Sequence, residues 1–297
     1  MTILQADQKS ETHTADRLAA GFEKCRRITQ KYGTSFYFAT QFFPKETRDG
    51  IYAIYAFARI PDEIVDNPNK PDRNKALAEM REWRQRWLEA MSTGRGDDDV
   101  MHAIVFAFNK YQIPVEYGEA FLKSMFQDED KSSYRNYAEL EDYMYGSAGV
   151  IGLMVTRVVG YSSEAAFPYA EKLGYAFQMT NFLRDMREDC DDLGRVYMPE
   201  DEMRRFGLDR RDIFTHVADV RFARFMKFQI ERTREIYREA LPGIKLLNWR
   251  GRLAVRISYV LYKAILNEIE RANYNVYAGR VRTNIGQKVR LSLQAVA

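Results

Sequence analysis

The sequence predicts an all-α protein, a single-domain bundle of many helices with the longest ones around a central chamber. Apolar residues recur mostly at helical spacing, as in the run Leu77, Met80, Trp83 and Trp87. No segment shows the alternation of apolar and polar residues that is typical of a half-buried strand. Proline and glycine interrupt the helical pattern, so that Pro114 predicts the start of one helix and Pro242-Gly243 the end of a long one.

Length and composition predict one large core. The chain has 297 residues, of which 46% are hydrophobic and 13% aromatic, and no linker-like stretch divides it. Residues 1–16 are polar and lack a periodic apolar pattern, which predicts a mobile N-terminal arm. The folded domain is therefore expected to comprise residues 17–297.

Charge, cysteine and histidine content exclude several classes of protein. A net charge of +3 is too small to indicate nucleic-acid binding. Cys25 and Cys190 lie far apart and neither has a neighbouring histidine, which favours a reducing cytoplasm over a disulfide scaffold. The three histidines form no pair at metal-binding spacing, so zinc-hydrolase and di-iron chemistry lack ligands and any metal is expected on oxygen. No run of about twenty apolar residues is long enough to span a membrane.

The first candidate metal-binding segment follows a helix that is apolar almost all round, residues 51–58. Asp62 and Asp66 stand four residues apart, so they share a helix face on which like charges destabilise by roughly 0.2–0.5 kcal/mol. A bound cation would offset that repulsion. The alternative is a solvated acidic helix end.

A second segment favours a bound cation over a solvated helix end, because Asn181, Asp185 and Asp189 are spaced four residues apart on one helix face. Magnesium is usually held by one or two carboxylates together with substrate phosphates. Two such faces opposite each other could clamp diphosphates through Mg²⁺, or through Mn²⁺. Arg59 and Arg184 lie beside the acids, where they could bind phosphate oxygens bidentately or simply neutralise the neighbouring aspartates.

These two segments resemble the aspartate-rich signatures of the squalene and phytoene synthase family, and of bacterial-type phytoene synthases in particular. The order and separation of the segments also match. The similarity covers nearly the whole chain after the arm, through the segments at residues 32–37, 53–59, 143–149, 194–199 and 272–274. Glu63 departs from the family pattern, which commonly has a second aspartate there.

The resemblance implies an isoprenoid synthase fold, magnesium dependence and head-to-head condensation of two allylic diphosphates. The expected reaction joins two geranylgeranyl diphosphates through prephytoene diphosphate to phytoene, in carotenoid biosynthesis and without NADPH. One alternative is a squalene or dehydrosqualene synthase that uses farnesyl diphosphate, with NADPH required for squalene. The other is a non-catalytic helical assembly protein of the same fold.

The resemblance also implies roles for individual residues. The expected catalytic residues are Tyr55, Arg59, Tyr143, Arg184 and Tyr274. The expected substrate-binding residues are Ser35, Phe36, Thr40, Gly149, Gln178, Asn181, Arg195 and Tyr197. The expected metal ligands are Asp62, Asp66, Asn181, Asp185 and Asp189.

Two further features bear on substrate length and location. Small residues at 146–152 interrupt a helical pattern and predict tight helix packing, a substrate wall or both. Thr40, one turn after Phe36, is expected to lie deeper along the prenyl tail and to leave room for a twenty-carbon chain.

At the carboxyl end, Arg271, Arg280, Arg282, Lys288 and Arg290 follow Glu270 without an acidic residue, which predicts a membrane-surface partner or a solvated helix face. A cytoplasmic protein with peripheral membrane contact is expected.

Overall fold

The computed structural model describes residues 3–66 and 73–296, and over these residues the chain is helical. The long helices are α1 (Ile3–Tyr32), α3 (Lys45–Val65), α4 (Arg73–Thr93), α9 (Ala166–Arg184), α13 (Val220–Ala240) and α14 (Trp249–Arg271). The shorter ones are α2 (Thr34–Thr40), α5 (Asp99–Lys110), α6 (Val115–Asp128), α7 (Tyr137–Met144), α8 (Val150–Val159), α10 (Met186–Leu193), α11 (Glu200–Arg205), α12 (Arg210–Phe214) and α15 (Ile285–Val296). A π-helical segment, Tyr145–Gly149, joins α7 to α8, and a 3₁₀ segment, Leu241–Leu246, follows α13.

The prediction of an all-α domain is confirmed, and within the described residues there are only two isolated β-bridges and no strand. Helix α1 begins at Ile3, so the polar start of the chain continues directly into a long helix. The predicted mobility of residues 1–16 and the domain start at residue 17 remain predictions. None of the described helices combines the length and the apolar character needed to cross a membrane.

Two helices organise the bundle. Helix α3 packs against α1, α4, α5, α6 and α8, and its apolar stretch is buried as the sequence predicts. Phe57 lies at the centre of this half, with its ring centroid 5.0–5.6 Å from those of Trp83, Trp87, Phe108 and Phe121. Helix α9 packs against α8, α13 and α14.

Small residues let α8 and α9 approach each other closely. A Cβ at Gly152 would lie 2.3 Å from the carbonyl oxygen of Ala170, and one at Gly149 would lie 2.9 Å from the ring of Tyr175. Since Gly152, Ser147 and Ala148 also line the cavity between α3 and α9, the segment serves both packing and the cavity wall.

Candidate active site

A cavity of about 360 Å³ lies between α3, α6, α8, α9 and α14, and polar side chains gather at one end of it. Asp62 and Asp66 reach it from the carboxyl end of α3, where the Asp66 amide donates to the carbonyl oxygen of Asp62 at 2.8 Å. All five expected metal ligands line this cavity: Asp62, Asp66, Asn181, Asp185 and Asp189.

The second acidic face crosses a helix boundary without losing its register. Asp185 separates α9 from α10, yet its amide donates to the carbonyl oxygen of Asn181, and the Asp189 amide donates to that of Asp185, both at 2.8 Å. These two bonds each join residues four apart, one on either side of the junction, and all three side chains line the cavity.

Two of these carboxyls have pKa values raised by burial and by neighbouring carboxylates. Burial, with the charge of Asp66 next in importance, raises the pKa of Asp62. Burial, followed by the charges of Asp185 and Asp66, raises the pKa of Asp189 well above its usual range. Because Asp66 contributes to both shifts, the two acidic segments act on one another across the cavity.

Unpartnered polar atoms also face this end of the cavity. Asn181 Oδ1, Asp128 Oδ1 and Ser147 Oγ are buried and find no hydrogen-bond partner among the described residues. Buried polar atoms are normally bonded, so such orphans indicate a ligand or an ion. Carboxylate and amide oxygens without sulfur or imidazole are the donor set of a hard divalent cation, and the cluster fits one.

Four arginines surround the acids. Arg59 forms ion pairs with Asp62 and Glu63, and its buried Nε has no partner in the part of the chain described. Arg184 binds Asp185 through Nε at 2.7 Å, so both arginines expected at the diphosphate do neutralise neighbouring aspartates in the absence of substrate. Arg195, which is buried, contacts Asp66 Oδ1 at 2.5 Å.

The fourth arginine corrects an expectation from sequence. The sequence places Arg280 in a basic segment without local acidic residues, but its Nε lies 2.8 Å from Asp185 Oδ1 and its Nη2 donates to Oδ2 at 2.9 Å. Arg271 is also paired, with Glu268. Arg280 and Asp185 are 95 positions apart in the sequence, so no local signal could have predicted this contact.

Asp128 is a site residue that sequence reasoning missed. It ends α6, lines the cavity and accepts a hydrogen bond of 2.7 Å from the hydroxyl of Tyr143. Burial raises its pKa to about 7, against the opposing charge of Arg195. The sequence does contain a signal for this residue. Phe121, Met125 and Asp128 are spaced so that they share one helix face, which predicts a carboxylate on a buried surface.

Aromatic rings pack around this carboxylate. Tyr143 and Tyr197 stack at 5.7 Å, and Tyr197 stacks on Phe182 at 4.1 Å. Phe36 and Tyr55 also line the cavity, with their ring centroids 5.3 Å apart. The remaining wall is mostly apolar, with Phe43, Ile151, Val155, Val159, Leu247 and Val255 among its residues.

The structure does not bring all predicted site residues to the cavity. Thr40 is 1% exposed, and its hydroxyl donates to the Phe36 carbonyl oxygen within α2, so its side chain is enclosed by protein and does not line the cavity. Tyr274 has a positive φ of 62° in the turn after α14 and lies outside the lining as well. Gly149 packs against α9, whereas Gln178 lines the cavity. The side chain of Ser35 is outside the described part of the chain.

One further contact corrects the expectation that no histidine neighbours a cysteine. Cys190 Sγ lies 3.9 Å from His216 Nε2, because the segment after α12 folds back onto α10. For Cys25, burial raises the pKa far above the usual value, which leaves an inert thiol.

Comparison with known proteins shows the family to which the chain belongs. Residues 29–292 match the family model for squalene/phytoene synthase. The chain is 34% identical over 275 residues to the 15-cis-phytoene synthase of Synechococcus elongatus. The matched region covers 89% of this chain and 88% of the relative. It is 34% identical over 293 residues to the chloroplastic phytoene synthase 1 of Zea mays, across 97% of this chain and 70% of that protein.

Solved structures show the same architecture. A dehydrosqualene synthase in complex with ligand superposes with a TM-score of 0.87 and 25% identity, over 95% of this chain and 98% of that one. The squalene synthase HpnC from Alicyclobacillus acidocaldarius gives a TM-score of 0.78 at 24% identity, over 87% and 96% of the two chains. On the family match, the sequence relatives and this fold, the chain is a prenyltransferase that belongs to the squalene/phytoene synthase family.

Proposed function

We propose that this chain condenses two molecules of geranylgeranyl diphosphate to phytoene, in a reaction that requires Mg²⁺, or Mn²⁺ in its place. The observation that carries the proposal is the cavity itself, where two oxygen-rich helix faces meet at one end of a chamber with an otherwise mostly apolar wall. Such a chamber suits a long prenyl diphosphate, with its diphosphate among the acids and arginines and its tail along the wall. The phytoene synthases of Synechococcus elongatus and Zea mays support the choice of product.

The chain's own residues bind and orient the substrates. Asp62, Asp66, Asn181, Asp185 and Asp189 would hold the cation, which, when bound, supplies charge neutralisation on the departing diphosphate. Arg59, with its unused Nε, and Arg184 would release their aspartates in favour of phosphate oxygens. The apolar wall excludes water, and the stacked rings of Phe36 and Tyr55 would shelter a carbocation at roughly 0.5–2 kcal/mol per ring.

The reaction then balances without an external electron donor. The first substrate loses its diphosphate, and the 2,3 double bond of the second attacks the resulting allylic cation. Loss of a proton closes the cyclopropane ring of prephytoene diphosphate. That intermediate ionises, rearranges and loses another proton, so that two substrates give one hydrocarbon, two diphosphates and two protons. No NADPH is needed for phytoene.

A second candidate is synthesis of a thirty-carbon hydrocarbon from farnesyl diphosphate, which the fold match to a dehydrosqualene synthase favours. A non-catalytic assembly role has no such support, because the oxygen ligands of both segments are intact. Incubation with fifteen- or twenty-carbon diphosphate and Mg²⁺, with and without NADPH, followed by mass spectrometry of the hydrocarbon, separates the three. Phytoene formed without NADPH is the expected result, and a thirty-carbon product or no product contradicts it.

We propose peripheral contact with an anionic membrane surface as the second part of the function. The segment between Glu239 and Glu268 contains no acidic residue, and it exposes Lys245, Arg250, Arg252 and Arg256. Trp249 is 73% exposed in the same segment, while Leu247 and Val255 line the far end of the cavity. A hydrocarbon product leaving at that end would therefore meet lipid directly.

Helix α15 extends this surface. It runs antiparallel along α14, since Gln287 Nε2 donates to Glu268 Oε1 at 3.0 Å while Ala295, eight residues later, packs against Ile257. Its outer face exposes three apolar side chains at a spacing of four, Ile285, Val289 and Leu293. An exposed apolar stripe beside unpaired basic residues suits the boundary between headgroups and acyl chains.

A further inference from the structure

Outside the cavity, three side chains of different chemistry lie close together, one of them buried and two partly exposed. Cys190 and Asp191 lie on α10, and His216 lies in the segment between α12 and α13. Their ligand atoms are close together, with 3.9 Å between Cys190 Sγ and His216 Nε2, 2.8 Å between His216 Nε2 and Asp191 Oδ1, and 3.5 Å between Cys190 Sγ and Asp191 Oδ1.

These separations are close to those that a tetrahedral metal imposes on its ligands. Bonds of about 2.3 Å to sulfur, 2.0–2.1 Å to imidazole nitrogen and 2.0–2.2 Å to oxygen place the ligand atoms roughly 3.4–3.6 Å apart. The observed distances of 2.8–3.9 Å bracket that range, so binding requires the ligand atoms to shift by about 0.6 Å or less relative to one another. Among the described residues, these three side chains form a cluster that could hold a metal ion, and the cluster offers one sulfur, one imidazole nitrogen and one carboxylate oxygen.

The structure holds the imidazole in place. The His216 ring stacks on Tyr277 at 4.9 Å and 24°, and Arg187 donates to the Tyr277 carbonyl oxygen at 2.8 Å. His216 adopts a positive φ of 55°, which a non-glycine residue keeps only where its surroundings determine it.

Orientation of the carboxylate and access from solvent complete the arrangement. Arg187 Nε contacts Asp191 Oδ2 at 3.3 Å, which leaves Oδ1 turned toward the histidine. The Asp191 and His216 side chains are 35% and 34% exposed, so a cation and its remaining water ligand have a path from solvent.

We propose that Cys190, Asp191 and His216 form a binding site for one thiophilic divalent cation of the Zn²⁺ class, with water completing the coordination. Mg²⁺ takes oxygen ligands and would not compete there, just as the aspartate cluster in the cavity offers no sulfur. On binding, the thiol proton passes to solvent and sulfur coordinates as thiolate. His216 Nε2 gives up the proton that it shares with Asp191 Oδ1 and coordinates as the neutral imidazole protonated at Nδ1. Because Cys190 directly follows Asp189, the bound cation would fasten α10, which carries part of the second acidic face, to the segment before α13.

Co²⁺ is the probe that distinguishes this site from the cavity, because only a sulfur ligand gives a thiolate-to-cobalt charge-transfer band in the near ultraviolet. The full-length protein is titrated with Co²⁺ in excess Mg²⁺, which keeps the aspartate cluster filled. We expect the band to saturate at one equivalent and to disappear when Zn²⁺ is added. Cys190→Ser should lose the band, whereas Cys25→Ser, which removes the other free thiol, should keep it.

Asp191→Asn and His216→Asn test the same site if Cys190→Ser does not fold. Both side chains are about one third exposed, so these substitutions should leave folding intact. Each should retain its circular dichroism spectrum and bind Co²⁺ at least roughly tenfold more weakly. The proposal is overturned if excess Co²⁺ gives no thiolate band, if Cys190→Ser keeps the band, or if the folded Asp191 and His216 variants bind as tightly as the wild type.

Discussion

The hydroxyl of Tyr143 donates a 2.7 Å hydrogen bond to Asp128 Oδ2 at the polar end of the cavity. This bond is the one partner that the structure gives to a carboxylate only 7% exposed, and the other oxygen of that carboxylate has none among the described residues. It connects α7 to α6 directly beside the acids of α3 and α10. The Tyr143–Asp128 pair therefore links α6 and α7 at the end of the cavity where the diphosphate is expected to bind.

We expect Tyr143→Phe to lower turnover by roughly 10- to 100-fold, because it leaves a buried carboxylate without its hydrogen bond. The matched control is Tyr145→Phe, which changes an exposed phenol two residues away and should leave turnover unchanged. Steady-state hydrocarbon formation measures both variants. Equal rates for Tyr143→Phe and the wild type would exclude a role for this hydroxyl.

Asp128 should also make the stability of the metal-free protein depend on pH. Its pKa is about 7 in the folded chain, against the ordinary aspartate value of 3.8, so the folded state binds the proton more tightly and loses stability as pH rises from about 4 to 7. Asp128→Asn should therefore be more stable than the wild type above pH 7, by roughly 1–4 kcal/mol, and no more stable near pH 4. Thermal melts in chelator across this range test the sign, and a variant less stable than the wild type at pH 8 would contradict it.

Asp62→Asn or Asp185→Asn should abolish turnover and leave helicity and melting temperature nearly unchanged. The fold already disfavours the ionised form of Asp62, so removing its charge costs little stability. Asp192→Asn is the control, because Asp192 is exposed on the same helix as Asp189 and does not line the cavity. Chelation of the wild type should reproduce the two active-site variants. Substantial activity of either variant in saturating Mg²⁺ would refute the two-helix clamp.

Membrane binding should depend on basic side chains that have no acidic partner among the described residues. Exchange of Arg282 and Arg290 for glutamate should weaken sedimentation with anionic vesicles at low salt, since both are exposed and each such charge contributes about 1 kcal/mol near an acidic surface. Arg271→Ala should have little effect, because Arg271 is engaged by Glu268. Equal binding of the wild type to neutral and anionic vesicles would remove the electrostatic explanation.

Substrate length should be limited along α8. From Tyr143 at the acidic end to Val155 on the wall, the helical run rises by roughly 18 Å. Val155→Phe should shorten the accessible chamber and shift the product from forty toward thirty carbons in mixtures of the two diphosphates. Thr40→Phe, which the sequence favoured for this test, should instead overpack an enclosed site and lower stability. If Val155→Phe formed forty- and thirty-carbon products in the same ratio as the wild type, Val155 would not lie at the end of the chamber.

The sequence by itself determined the helical class and the internal order of each acidic face. Asn181, Asp185 and Asp189 share a face because 3.6 residues make one turn, and that spacing can be counted without knowing any partner. All three side chains line the cavity even though α9 gives way to α10 at Asp185. The apolar stretch of α3 likewise identified a buried helix that ends in aspartates.

Only the tertiary structure decided which groups face one another. Asp66 acts on Asp189, Arg280 reaches Asp185, and Cys190 meets His216 across separations that no helical period connects. Thr40 and Phe36 are a turn apart on α2, yet only Phe36 reaches the cavity. Periodicity describes a helix about its own axis, whereas contacts between helices depend on how their surfaces pack, and packing is a property of the whole core.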